Sequence, residues 1–167
     1  MKIELNREFF VRHLFVTVVF AALGGWFGYD GLVRYPATPA DELYRSIEKS
    51  AAPQGTDLAA FKRQKIETQY GFSALALLAA LAVGAHLFAV SRFRGEFDDD
   101  GFGVNGARFK WGEVSEVDDR LWGKKGITRV TAKGRVFKFD AWHSTGVKEF
   151  HERLAGAVRI NKDVKEA

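Results

Sequence analysis

The chain has 167 residues, enough for one small water-soluble domain beside membrane spans but not for several domains. Its 25 basic residues are interleaved with 21 acidic ones for a formal charge of +4, without the basic stripe a nucleic-acid surface needs, and nucleic acid is not expected as a partner. No cysteine is present, which excludes disulfide frameworks, thiolate metal sites and thiol nucleophiles together.

Residues 1–13 read as a charged cytoplasmic tail: Lys2, Arg7 and Arg12 precede the first apolar block, and basic flanks are retained on the cytoplasmic side. Residues 14–33 (LFVTVVFAALGGWFGYDGLV) are the first predicted transmembrane helix. The run is longer than a signal-peptide core, and the small-residue site beyond it, Thr38-Pro39-Ala40, has proline inside, so an uncleaved span is expected. Asp30 falls near its far end with Trp26, Tyr29 and Tyr35 as interfacial aromatics, and is read as a boundary residue rather than a buried charge.

Residues 34–71 read as a helical extracytoplasmic loop. Thr38 as cap, Pro39 at the first helical position and Asp41 in the first turn predict a helix to about Ser50. The sequence AAPQG then breaks it, and Thr56 or Asp57 caps a second helix with Leu58, Phe61, Lys65 and Ile66 near one face, placed to run on into the next apolar stretch.

Residues 72–90 (FSALALLAALAVGAHLFAV) hold no formal charge and end on Ser91-Arg92-Phe93-Arg94. At about 1.5 Å per residue they cover roughly the 30 Å of a bilayer's hydrocarbon, and form the second predicted transmembrane helix. Two spans place both termini on one side, and the basic flanks place that side in the cytoplasm. Small residues recur at four-residue spacing, giving Gly24, Gly25, Gly28, Ala76, Ala80 and Gly84 as helix-packing candidates, either within a hairpin or against other subunits or a second copy. His13 and His86 lie toward the same membrane side; a bis-imidazole haem is one reading of them, and histidines packed or hydrogen-bonded at the helix interface are the ordinary one.

From residue 91 glycines punctuate short segments, the pattern of strands and turns. Phe109 and Trp111 alternate with Arg108 and Lys110; residues 127–132 read as a strand; residues 135–141 alternate with Phe137 and Phe139 on one face, and Lys133-Gly134 between them predicts a hairpin. Ser144 or Thr145 is expected to cap a last helix whose Val147, Phe150, Leu154 and Val158 make one apolar stripe. Residues 161–167 remain as a C-terminal tail.

The order of these pieces resembles the bacterial pleckstrin-homology-like (PH-like) domains of small membrane proteins, which place such a domain after two spans. The resemblance covers residues 91–160 and rests on the opening strand and turn, the Trp111-Gly112-Glu113-Val114 step, the Leu121-Trp122 turn region, the 135–142 strand and the terminal helix. It implies an α+β membrane protein of the bacterial inner membrane: a two-helix transmembrane hairpin followed by a small antiparallel sheet or partial barrel capped by a C-terminal helix. Arg92 and Arg94 have the spacing of part of the phosphoinositide signature, but an apolar span precedes them, and that ligand is not carried over.

No catalytic constellation or cofactor is read from the sequence. The acidic run Asp98-Asp99-Asp100 lacks the alternate spacing of a calcium loop and reads as a hydrated turn. Arg92, Arg94, Lys110, Lys124 and Lys125 are candidates for anionic lipid headgroups, with arginines that merely stop the span as the plain alternative. The expectation is a non-enzymatic accessory or scaffold subunit contacting lipids and other membrane-protein subunits or itself. An anionic-lipid-sensing module is the alternative, and a haem-binding or other redox subunit the third.

Overall fold

Where the sequence predicts a charged tail, Lys2–Leu5 forms strand β1. Ile3 is buried while Lys2 and Glu4 alternate outward, so the four residues carry the period of two that a half-buried strand needs. The computed structural model describes residues 1–166, with side chains through residue 157. Ala167, and Val158 as a member of the apolar stripe, lie outside the described residues. The chain forms two units, Met1–Arg12 with Leu87–Ala167, and His13–His86.

The second unit is helical. Asn6 caps helix α1 (Arg7–Tyr29), its Oδ1 accepting from the backbone N–H of Glu8 (2.9 Å) and Phe9 (3.4 Å). A π-turn at Asp30–Arg34 carries α1 into the short α2 (Tyr35–Ala37). Pro36 has no N–H to continue the ordinary ladder, and the bond before it runs from Tyr35 N–H to the Asp30 carbonyl, five residues back. The wider turn buries Asp30, which is 5% exposed and meets Arg34 at 3.4 Å, so the predicted boundary residue is a buried acid instead.

Thr38 does not cap the next helix. Its hydroxyl donates to the Arg34 carbonyl (2.8 Å), and α3 (Ala40–Glu48) starts after Pro39 and ends on Lys49 in the left-handed region (φ 57°). Helix α4 (Leu58–Ser91) is capped by Asp57, which accepts from Ala60 N–H (2.9 Å), and runs unbroken from the loop into the apolar stretch. Leu43 is buried, Tyr44 meets Phe61 with tilted rings 4.8 Å apart, and Glu48 pairs with Lys65 at 3.5 Å, fixing α3 on α4.

Arg7–Ala37 and Leu58–Ser91 are both long and apolar enough to cross a membrane, and only 11% of each apolar window is buried. The core helix of a water-soluble protein would be mostly covered. Here Leu75, Leu78 and Leu81 stand about two-thirds exposed, a cost that hydrocarbon around the helix removes.

The first unit is a two-sheet domain. Strands β2 (Gly95–Phe97), β3 (Gly101–Val104) and β4 (Ala107–Lys110) join β1 and the two-residue β8 (Ser144–Thr145) in the order β4-β3-β2-β1-β8. Strands β5 (Val114–Asp118), β6 (Ile127–Ala132) and β7 (Arg135–Asp140) form the second sheet, all neighbours antiparallel. A 3-10 turn at Trp111–Glu113 links the sheets, short helix α5 (Trp122–Lys125) precedes β6, and helix α6 (Val147–Glu166) closes the domain. The predicted cap residues Ser144 and Thr145 are strand residues opposite Leu5 and Glu4, and α6 starts after Gly146.

Tight turns follow from local chemistry. Asn105 (φ 49°) with Gly106 (φ 87°), and Lys133 (φ 48°) with Gly134 (φ 73°), place two left-handed residues between strand ends, the geometry whose twist matches a hairpin. Between the sheets sits an aromatic core. Phe150 of α6 touches Phe97 (5.6 Å between ring centres) and Phe102 (5.6 Å) on one sheet and Phe139 (4.1 Å) on the other. All four rings are at most 3% exposed, and each contributes about 1.5–3 kcal/mol by leaving water.

Candidate functional site

The five cationic residues singled out from the sequence fall at separate places in the domain. Arg94 sits where α4 hands over to β2. Its Nη1 donates to the carbonyls of Ser91 (2.9 Å) and Phe93 (3.3 Å), closing the negative end of α4, while its backbone exchanges bonds of 2.8 Å in each direction with Asn105. Arg92 turns back along the helix, its guanidinium carbon 5.4 Å from the centre of the Phe88 ring.

A groove of 380 Å³ opens beside Arg94, lined also by Lys2, Glu4, Glu96, Asn105 and Gly106. Two cations face two carboxylates there, so the groove has no net attraction for an anion alone. Arg108 is committed elsewhere: it pairs with Asp98 and, across Gly103, reaches Glu96 at 3.8 Å. That pairing holds the Asp98 carboxyl below the usual carboxylate range, helped by the backbone N–H groups of Asp100 and Gly101.

Lys110 lies opposite Gly101, at the end of the β3–β4 hairpin remote from the Asn105-Gly106 turn, and so about 13 Å along the strand from it. Lys124 and Lys125 are on α5, whose cap Gly126 accepts a bond from Ala141 N–H (2.9 Å). Arg92 and Arg94 are thus adjacent, Lys124 and Lys125 are a second pair, and Lys110 belongs to neither.

The acidic run holds a turn together. Asp98 Oδ1 accepts from Asp100 N–H (3.0 Å) and Gly101 N–H (3.1 Å), its carbonyl takes the Trp111 indole N–H (3.1 Å), and Asp99 pairs with Arg153 of α6. A second polar cluster was not read from the sequence because its members are far apart in the chain. Buried Thr128 donates to Asp119 Oδ1 (2.6 Å), His151 Nε2 lies 3.1 Å from Asp119 Oδ2, and Trp122 stacks on His151 at 3.8 Å. The histidine Nε2 is close to the carboxylate without being aligned for a hydrogen bond. Thr128 is fully buried with its proton directed to a carboxylate, an arrangement that ties α6 to the β5–β6 connection and offers no open nucleophile. Among the described residues no group of three or more His, Asp or Glu side chains could hold a metal ion.

In the helical unit, small residues let the two long helices approach. A Cβ on Gly24 would fall 2.7 Å from Leu77 Cγ, one on Gly28 3.2 Å from Ser73 Oγ, and one on Gly84 3.5 Å from Thr17 Cγ2. Ser73 Oγ donates to the Gly24 carbonyl (2.8 Å), and Ala76 and Ala80 are buried. Gly25 faces open space. The His13 and His86 rings lie 6.2 Å apart, and with Thr17 against Gly84 a turn away, a macrocycle between the rings would require the helices to part.

No family model, curated protein or solved structure matches this chain.

Proposed function

We propose that this protein is a non-enzymatic accessory or scaffold subunit of the bacterial inner membrane, with both termini in the cytoplasm and a PH-like domain that makes protein contacts. One observation carries the reading: β1, which precedes the first apolar helix, and β2, which follows the second, are neighbouring antiparallel strands, with Ile3 opposite Gly95. A sheet assembled from both sides of the apolar pair requires both segments on one face of the membrane. Basic residues Lys2, Arg7, Arg12, Arg92 and Arg94 flank the helices there, which supports the cytoplasmic side.

The PH-like reading is supported by two antiparallel sheets packed on a C-terminal helix, with β1 supplying a strand that residues 91–160 alone would lack. One residue separates β1 from α1, and three separate α4 from β2. Native mass spectrometry of the full chain released from lipid nanodiscs tests the proposal. A second protein or a second copy retained at defined stoichiometry is expected; a bare monomer under every mild extraction overturns it.

A further inference from the structure

We propose that Trp142 is an interfacial anchor, seating the rim of the sheet domain in the headgroup layer of an anionic phospholipid bilayer, with Arg12 beside it and Arg92, Lys124 and Lys125 facing the same layer. The inference rests on α1 and α4 being membrane spans.

Trp142 stands in the turn between β7 and β8 with its side chain largely uncovered, 58% exposed, whereas Phe97, Phe102, Phe109, Phe139 and Phe150 of the two sheets and α6 are buried. The turn is stitched to the start of α1: His143 O accepts from Asn6 N–H (2.8 Å) and Trp142 O from Asn6 Nδ2 (3.3 Å). With Asn6, Glu8, Phe9 and Arg12, Trp142 lines a cleft of 100 Å³. Arg12 is six residues past Asn6, about 9 Å up the helix, and in the sequence it stands two residues before Leu14, where the apolar run begins. The cleft is well below the several hundred Å³ that a soluble small molecule needs. An indole has an apolar body and one N–H donor, and the layer that satisfies both is the boundary between hydrocarbon and water.

The surrounding charge agrees. Arg92 points back toward exposed Phe88, the posture of a cation reaching for headgroups from a helix end. The Ala141–Gly126 bond sets Lys124 and Lys125 next to the Trp142 turn. Two of the acids nearby are already engaged: Asp140 by Lys138 (3.1 Å) and His143 (3.5 Å), and Glu8 by Arg12.

Because the chain contains no cysteine, single substitutions accept one nitroxide label each. The full chain in phosphatidylglycerol nanodiscs is labelled at Trp142→Cys, at Val136→Cys near the far end of β7, and at Leu81→Cys within α4. Collisions with oxygen should exceed those with a water-soluble nickel complex several-fold at 81, the ratio should reverse at 136, and position 142 should fall between the two. Nickel access at 142 equal to that at 136, with 81 still in lipid, overturns the anchor alone; nickel access at 81 overturns the membrane reading beneath it. With the indole intact, brominated lipid should quench the parent more than Trp142→Phe, and equal quenching counts against the proposal. Lys124→Glu with Lys125→Glu should move position 142 toward water in phosphatidylglycerol but not in phosphatidylcholine; no lipid difference removes the charged part of the inference.

Discussion

Ile3 and Gly95 are partners in adjacent strands although both apolar helices lie between them in the chain. The contact is close: a Cβ on Gly95 would stand 3.0 Å from the Ile3 Cβ, and Ile3 is 1% exposed in the core beneath. The sheet domain therefore owns a strand that the first residues of the protein provide, and its boundaries in sequence are not its boundaries in space.

A fragment beginning at residue 92 lacks β1, leaves β2 and β8 without their shared neighbour, and uncovers the core under Ile3. It should fail to give a cooperative thermal transition, whereas the same fragment with residues 1–6 joined through a flexible linker should recover one. Near-ultraviolet circular dichroism on both fragments reads the difference, and a cooperative melt of the short fragment would refute the dependence on β1.

Phe150→Ala empties the point where the two sheets and α6 meet, and should cost about 3–5 kcal/mol, on the scale of the largest core truncations. Val136→Ala, at an exposed site on β7, should stay within about 0.5 kcal/mol. Denaturant titration of the full chain in detergent, followed through domain signals, separates the two.

Gly24 and Gly25 are neighbours in sequence with opposite expected tolerances. Gly24→Ala drives a methyl into Leu77 and should destabilise the helix pair by about 1–3 kcal/mol, while Gly25→Ala meets open space and should be neutral or slightly stabilising. Thermal stability of the two variants in nanodiscs decides it; equal losses would mean that the seam does not run along Gly24.

Acid should weaken the sheet domain through its paired carboxylates. Arg108 holds Asp98 low, and Arg120, by side chain and backbone, holds Asp118 lower still. With folded-state values below the unfolded ones, these groups stabilise the domain fully above about pH 4 and lose that contribution as pH falls through the folded values. Stability should be level between pH 7 and 5 and decline below 4. Asp98→Asn should lower the plateau and flatten the decline; an unchanged acid limb would remove Asp98 from the account.

What the sequence by itself determined is what short-range periodicity encodes. The two long apolar helices, the β6–β7 hairpin across Lys133-Gly134, and the Val147, Phe150 and Leu154 stripe of α6 are all visible because each is set by neighbours three, four or two residues away. The Asn105-Gly106 turn is set by the same kind of local signal, two left-handed residues between strand ends. The tertiary structure alone decided the rest. Lys2–Leu5 alternates over too few residues to announce a strand, and only pairing with Glu96 and Thr145 makes it one. Asp30 is buried because a π-turn ahead of Pro36 rotates it inward, and Gly24 rather than Gly25 meets the second helix because the hairpin's register chooses one face of two equally spaced ones. Lys110 parts from Arg94, and Trp142 arrives beside Arg12, because a sheet fixes distance by strand register, whatever the separation in sequence.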